Sequence, residues 1–154
     1  MNTPAEWLNA LSEKVCLPLD FDEHGQCFLM LDDRLMMSIR RVDDAVVLYG
    51  MLGEFPAPVP ASLCMRVLAE NLALSEAGGG GIGYDDDTGA MMLIERVRDA
   101  GFGADAFVDA VAAFSSRLER LIEALEAADT GDGDADAGAW HRPLDPRAIR
   151  AMRG

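Results

Sequence analysis

Lysine is nearly absent from this sequence. Lys14 is the only one, and the only histidines are His24 and His141. No phosphate-binding loop with its lysine can be built from this inventory, and neither HExxH nor GxSxG occurs. Positive charge is scarce altogether: 13 Lys and Arg stand against 27 Asp and Glu, for a net charge of −14. That balance excludes a nucleic-acid partner held by a basic face, and argues equally against an anionic membrane surface. Cysteine is sparse too. Cys16, Cys27 and Cys64 are widely spaced, form no CxxC pair and sit in apolar surroundings, which reads as buried thiols in a reducing compartment. The N-terminus lacks the basic and apolar regions of a signal peptide, and no apolar run approaches the length of a membrane span. A cytosolic protein is expected.

What is present is apolar pattern. Half of the residues are apolar, enough for one domain with a real core in 154 residues. The most informative stretch runs from Ala45 to Asn71. Val46–Leu52 reads as a strand, and Pro56, Pro58 and Pro60 make an extended crossing. Leu63, Val67, Leu68 and Leu72 then recur at helical spacing, predicting a helix over about 61–75. Upstream, Thr3-Pro4-Ala5-Glu6 is a capping box that opens a helix over 4–15. Cys27–Leu31 and Leu35–Ile39 predict two strands, which with Val46–Leu52 form an antiparallel meander.

Downstream, Gly78–Gly81 reads as a flexible connection. Ile82–Asp85 and Ala90–Val97 flank a turn ending in Gly89, a hairpin. Phe107, Val111, Phe114, Leu118, Leu121 and Leu125 then predict one long helix over 104–128. The expected fold is α+β, in the order α-β-β-β-α-β-β-α, with an antiparallel sheet packed by helices. Residues 1–128 form the domain. Residues 129–154 form an acidic disordered linker, with Asp132, Asp134 and Asp136, followed by a short basic segment that starts a helix at Pro146. That tail is expected to be dispensable for folding.

The strands carry an anomaly. A sheet with one wet face alternates apolar and polar residues. Here Cys27, Leu29 and Leu31 lie opposite Phe28 and Met30, and Val46, Leu48 and Leu52 lie opposite Val47, Tyr49 and Met51. Both faces are apolar, so the second is covered, either by one of the chain's own helices or by a partner.

Other signatures fail on context. Gly78, Gly80 and Gly83 spell GxGxxG but follow a helix and enter a strand, the reverse of a dinucleotide fingerprint. A calcium loop starting at Asp85 would place Arg96 where its twelfth-position Glu belongs. Cys27 and His24 flank one turn and form the one conceivable nucleophile pair, without an evident third group. No enzyme, metal or cofactor is expected.

The order of elements, Leu19-Asp20-Phe21-Asp22 with Gly25 and Cys27, then Leu29–Asp32, Val47-Leu48-Tyr49-Gly50, Leu52-Gly53 and Pro56, followed by Leu63, Leu68, Asn71, Leu72 and Tyr84-Asp85…Gly89, resembles the class I chaperones of bacterial type III secretion, the CesT (Tir chaperone) family. The likeness covers about residues 4–128. It implies a cytoplasmic bacterial homodimer, associated with virulence, that binds the extended N-terminal segment of secreted effectors without ATP. A secretion-apparatus ATPase is a further candidate partner. Phe28, Met30, Met36, Val47 and Tyr49, on the side of the sheet and the first helix, are the candidate effector contacts. Leu63, Val67, Met92 and Ile94 are the candidate dimer interface. Nine methionines offer an adaptable surface for such a role. The rivals are a regulatory or adaptor domain of the same fold that binds a folded partner, and a small enzyme using Cys27 and His24.

Overall fold

The computed structural model describes residues 3–98 and 103–130. The acidic linker and basic segment were expected over 129–154; Asp129 and Thr130 belong to the last helix, and residues 131–154 lie outside the described residues. The elements are α1 (Pro4–Val15), β1 (Gln26–Leu31), β2 (Leu35–Val42), β3 (Ala45–Glu54), α2 (Ala61–Ala77), β4 (Gly81–Asp85), β5 (Ala90–Arg98) and α3 (Ala104–Thr130). The fold is α+β, and the order is the one expected.

Local chemistry sets the boundaries. Thr3 caps α1: its Oγ1 accepts from the Glu6 N–H at 3.3 Å, and the Glu6 carboxylate accepts from the Thr3 N–H at 2.7 Å. β2 runs three residues past Ile39. Arg40 and Arg41 break the apolar run in sequence, yet their backbones stay in the ladder opposite Val47 and Val46. The 85–89 turn is stitched by Asp85, whose carboxylate accepts from the Asp87 N–H at 3.0 Å and the Thr88 hydroxyl at 2.9 Å. This ties that aspartate into the turn.

The glycine run is more tightly specified than a flexible connection. Gly80 has φ +61°, and a Cβ there would stand 2.2 Å from the Ile94 carbonyl oxygen. Only glycine lets the chain turn this close against β5.

The five strands form one antiparallel sheet in the order β1-β2-β3-β5-β4. All three helices contribute to a single core built on one of its faces, with Leu29, Met37, Ile39, Leu48 and Leu93 beneath them. Trp7 of α1 stacks on Phe107 of α3 with ring centroids 5.5 Å apart. α3 crosses β3 at Gly50, where a Cβ would stand 2.7 Å from both Leu118 methyl carbons.

α2 meets this core in a way its apolar spacing does not predict. Leu63 and Leu74 are buried and Val67 packs against the core, but Leu68 and Leu72 point outward. The inward line runs 63, 67, 70, 74 and includes a charge, Glu70. That carboxylate is 3.0 Å from Arg66 and 3.2 Å from Arg120 of α3. Two guanidinium groups satisfy a carboxylate at this core-side position, on the side of α2 away from Leu68 and Leu72. A further ion pair, Arg117–Glu95, ties α3 to β5.

Candidate functional site

The other face of the sheet is made by strands alone. Side chains alternate along each strand, so the register assigns them. Phe28 pairs with Ser38, Ser38 with Tyr49, and Tyr49 with Ile94, a row crossing β1, β2, β3 and β5. Met30 pairs with Met36, and Met51 pairs with Met92. On the opposite side of the central row, Val47 lies between Arg40 and Arg96.

Met51, Ala90 and Met92 form a small second cluster, with Phe28, Met36, Tyr49 and Ile94 packed around it. Every member comes from a strand or its end. Among the described residues no helix covers this face, so α1, α2 and α3 are not what hides it. The reason lies in the helices themselves: the buried sides of α1, α2 and α3 are all used on the opposite face.

Phe28, Met30, Met36, Val47 and Tyr49 therefore share one surface. Met30 is its most open member, 46% exposed. The first helix does not share that surface: Trp7, Leu8 and Leu11 are buried in the core behind the sheet. The expected side "of the sheet and the first helix" thus separates into two opposite sides.

The residues assigned to a dimer interface also divide. Met92 and Ile94 belong to this same strand-only face, Ile94 directly beside Tyr49. Leu63 is only 2% exposed and Val67 packs on the core, so neither offers a free surface on α2. The free apolar surface of α2 is instead Met65, Leu68 and Leu72, at 66%, 61% and 62% exposure. Met65 was not singled out by sequence reasoning, and Met51, Ser38 and Arg96 were not named as contacts. The strand alternation contained Ser38 and Met51, whereas the outward turn of α2 depends on Arg120, a residue 50 positions from Glu70.

Two polar details concern the sheet, one on the strand-only face and one at its edge. The Ser38 hydroxyl is fully buried in its central row without a hydrogen-bond partner. At the outer edge of the sheet, Asn71 of α2 engages β4: its side-chain oxygen accepts from the Ile82 N–H at 2.6 Å and its amide donates to the Ile82 carbonyl at 3.4 Å.

The Cys27–His24 pair has the wrong electrostatics for a nucleophile. Burial pushes the Cys27 thiol above its ordinary range; a backbone hydrogen bond from Asp20 lowers it by less, and the carboxylates of Asp20 and Asp22 add smaller upward pushes. An active thiol needs the opposite shift. His24 sits in an exposed turn, 3.4 Å from the Glu23 carboxylate. Among the described residues no cluster of His, Cys, Asp and Glu converges as a metal site, and no helix is long and apolar enough to cross a membrane.

Comparison with known structures places the fold. A chain of the HopA1–SchA chaperone–effector complex superposes with a TM-score of 0.64 at 20% identity, covering 76% of this chain and 91% of that one. A chain of the ExsC–ExsE complex gives 0.67 at 17% identity, covering 81% and 97%. A chain of the heterodimeric ExoU–SpcU complex from the type III secretion system of Pseudomonas aeruginosa gives 0.60 at 20% identity, covering 81% and 99%. At such identities these likenesses establish a shared fold. The sequence itself goes further: the model of the Tir chaperone protein (CesT) family matches residues 6–127, and the chain belongs to that family.

Proposed function

We propose that this chain is a type III secretion chaperone of the bacterial cytoplasm. It holds a segment of an effector in extended form on the strand-only face, working as a homodimer joined through α2. The observation that carries this reading is the apolar face centred on Phe28, Tyr49 and Ile94, which no described helix covers. Family membership and the chaperone–effector complexes among the similar folds support it.

The chemistry is passive. Apolar burial contributes roughly 25 cal/mol per Å², so an extended segment laid over the face is retained without nucleotide hydrolysis. Methionines re-pack around different side chains, and Met30, Met36, Met51 and Met92 supply that adaptability. The outward stripe of Met65, Leu68 and Leu72 is the surface assigned to the second copy. A secretion-apparatus ATPase is the further partner this role implies.

The test uses Met30→Glu and Tyr49→Asp. Both are expected to stay folded by circular dichroism and to lose binding of an effector segment of about 50–100 residues, a length of disordered chain able to wrap a large surface. Leu68→Glu should convert a dimer to a monomer in light scattering. Unchanged binding in both folded face variants would overturn the site, and purification with a folded globular protein would favour the adaptor reading.

A further inference from the structure

We propose that the strand-only face selects its partner by charge as well as by apolar fit: the bound segment carries carboxylates at the end that meets Arg96 and Arg98. This rests on the reading that the face binds an extended segment, and adds the chemistry of that segment.

The arginines lie at one end of the face. Arg40 and Arg96 flank Val47 across three neighbouring strands, and Arg98 follows on the same side of β5, opposite Ala45. Arg96 and Arg98 differ in situation from the other arginines among the described residues. Arg34 is 3.8 Å from Glu119, Arg66 and Arg120 share Glu70, and Arg117 pairs with Glu95. Arg41 lies over the Phe21 ring, 5.7 Å from its centroid. Arg96 and Arg98 are exposed and form no ion pair among the described residues, in a chain with 27 carboxylates. A protein this acidic that leaves two neighbouring exposed arginines at the end of an apolar sheet face presents a complement to an incoming carboxylate.

The physical roles separate. The apolar rows supply burial, which is indifferent to the direction in which a segment lies. A guanidinium fork recognises a carboxylate in a planar, two-pronged geometry, and so fixes direction and register. It also disfavours segments that bring lysine or arginine to that end. From Val47 to Met51 is four residues along β3, about 13 Å of strand. A segment lying along the strands would therefore place its carboxylates about four residues from its outermost apolar side chain. The negative charge of the whole chain opposes an acidic partner only weakly at physiological salt, where the screening length is about 8 Å.

The experiment is an array of immobilised 15-residue peptides. Each has an alternating apolar centre and, at one end, two aspartates, two lysines or two serines. The full chain and the double variant Arg96→Gln/Arg98→Gln are applied at low and high salt. The expected result is about fivefold stronger retention of aspartate-ended over serine-ended peptides by the natural chain, the size that two exposed ion pairs supply. That preference should shrink at high salt and disappear in the double variant, while binding of serine-ended peptides persists. Equal retention of all three sets, or a preference for lysine, would overturn the charge assignment and leave the extended-segment reading standing. Failure of every peptide to bind would overturn that reading itself.

Discussion

Asn71 grips both backbone groups of Ile82. Its side-chain oxygen takes the N–H at 2.6 Å and its amide reaches the carbonyl at 3.4 Å, so one side chain on α2 imitates a neighbouring strand at the edge formed by β4. Edge strands are templates for unwanted pairing unless covered. Asn71→Ala is expected to cost about 1–2 kcal/mol in urea unfolding, for the loss of bonds to partly buried backbone groups. It should also raise the fraction of higher oligomers in light scattering. A variant with unchanged midpoint and mass would show that this edge is protected otherwise.

At Gly50, α3 packs directly on the sheet. A methyl group there would meet both Leu118 methyl carbons at 2.7 Å and the Phe114 ring at 3.1 Å. Gly50→Ala should destabilise the domain by about 1–3 kcal/mol, the usual range for overpacking. A compensating Leu118→Val in the same chain should recover part of the loss, which a double-mutant cycle would read.

Ser38 gives the opposite sign. Its hydroxyl is buried without a partner in the middle of the strand-only face. An unsatisfied buried group carries a desolvation cost of about 1–3 kcal/mol. Ser38→Ala is therefore expected to be neutral or to stabilise by up to about 1 kcal/mol. A clear loss of stability would mean that the hydroxyl is bonded in solution.

The start of α1 should respond to acid. The Thr3 backbone N–H holds the Glu6 carboxyl below its ordinary value of 4.5. A carboxylate with a depressed folded-state pKa adds stability above its unfolded value, and loses it as pH falls through the lower folded value. The stability difference between the natural chain and Glu6→Gln should therefore be constant near neutral pH and fade below about pH 4.5. Urea midpoints measured from pH 7 to pH 3 would show it; a difference that does not change with pH would count against the capping box.

Much of this molecule follows from short-range chemistry, and that part was legible. Thr3, Pro4 and Glu6 open α1 because the groups they satisfy are within one turn. Asp85 and Gly89 make the hairpin for the same reason. The two apolar faces of β1 and β3 were visible because strand alternation has a fixed period of two.

Where an outcome depended on residues far apart in the chain, local pattern misled. Leu68 and Leu72 look like core on α2, but the helix turns Leu63, Glu70 and Leu74 inward, with Glu70 paired to Arg120 of α3, and leaves both outside. Met92 and Ile94 look like a separate interface, but the pairing of β3 with β5 puts them beside Met51 and Tyr49.

The sequence by itself determined which segments become helix or strand and that both faces of the sheet would be apolar, because those properties reside in neighbouring residues. Only the tertiary structure decided which face the three helices cover and which it leaves to strands alone. That choice rests on strand order, on the close approach of α3 at Gly50 and on ion pairs between distant elements, none of which has a local signature.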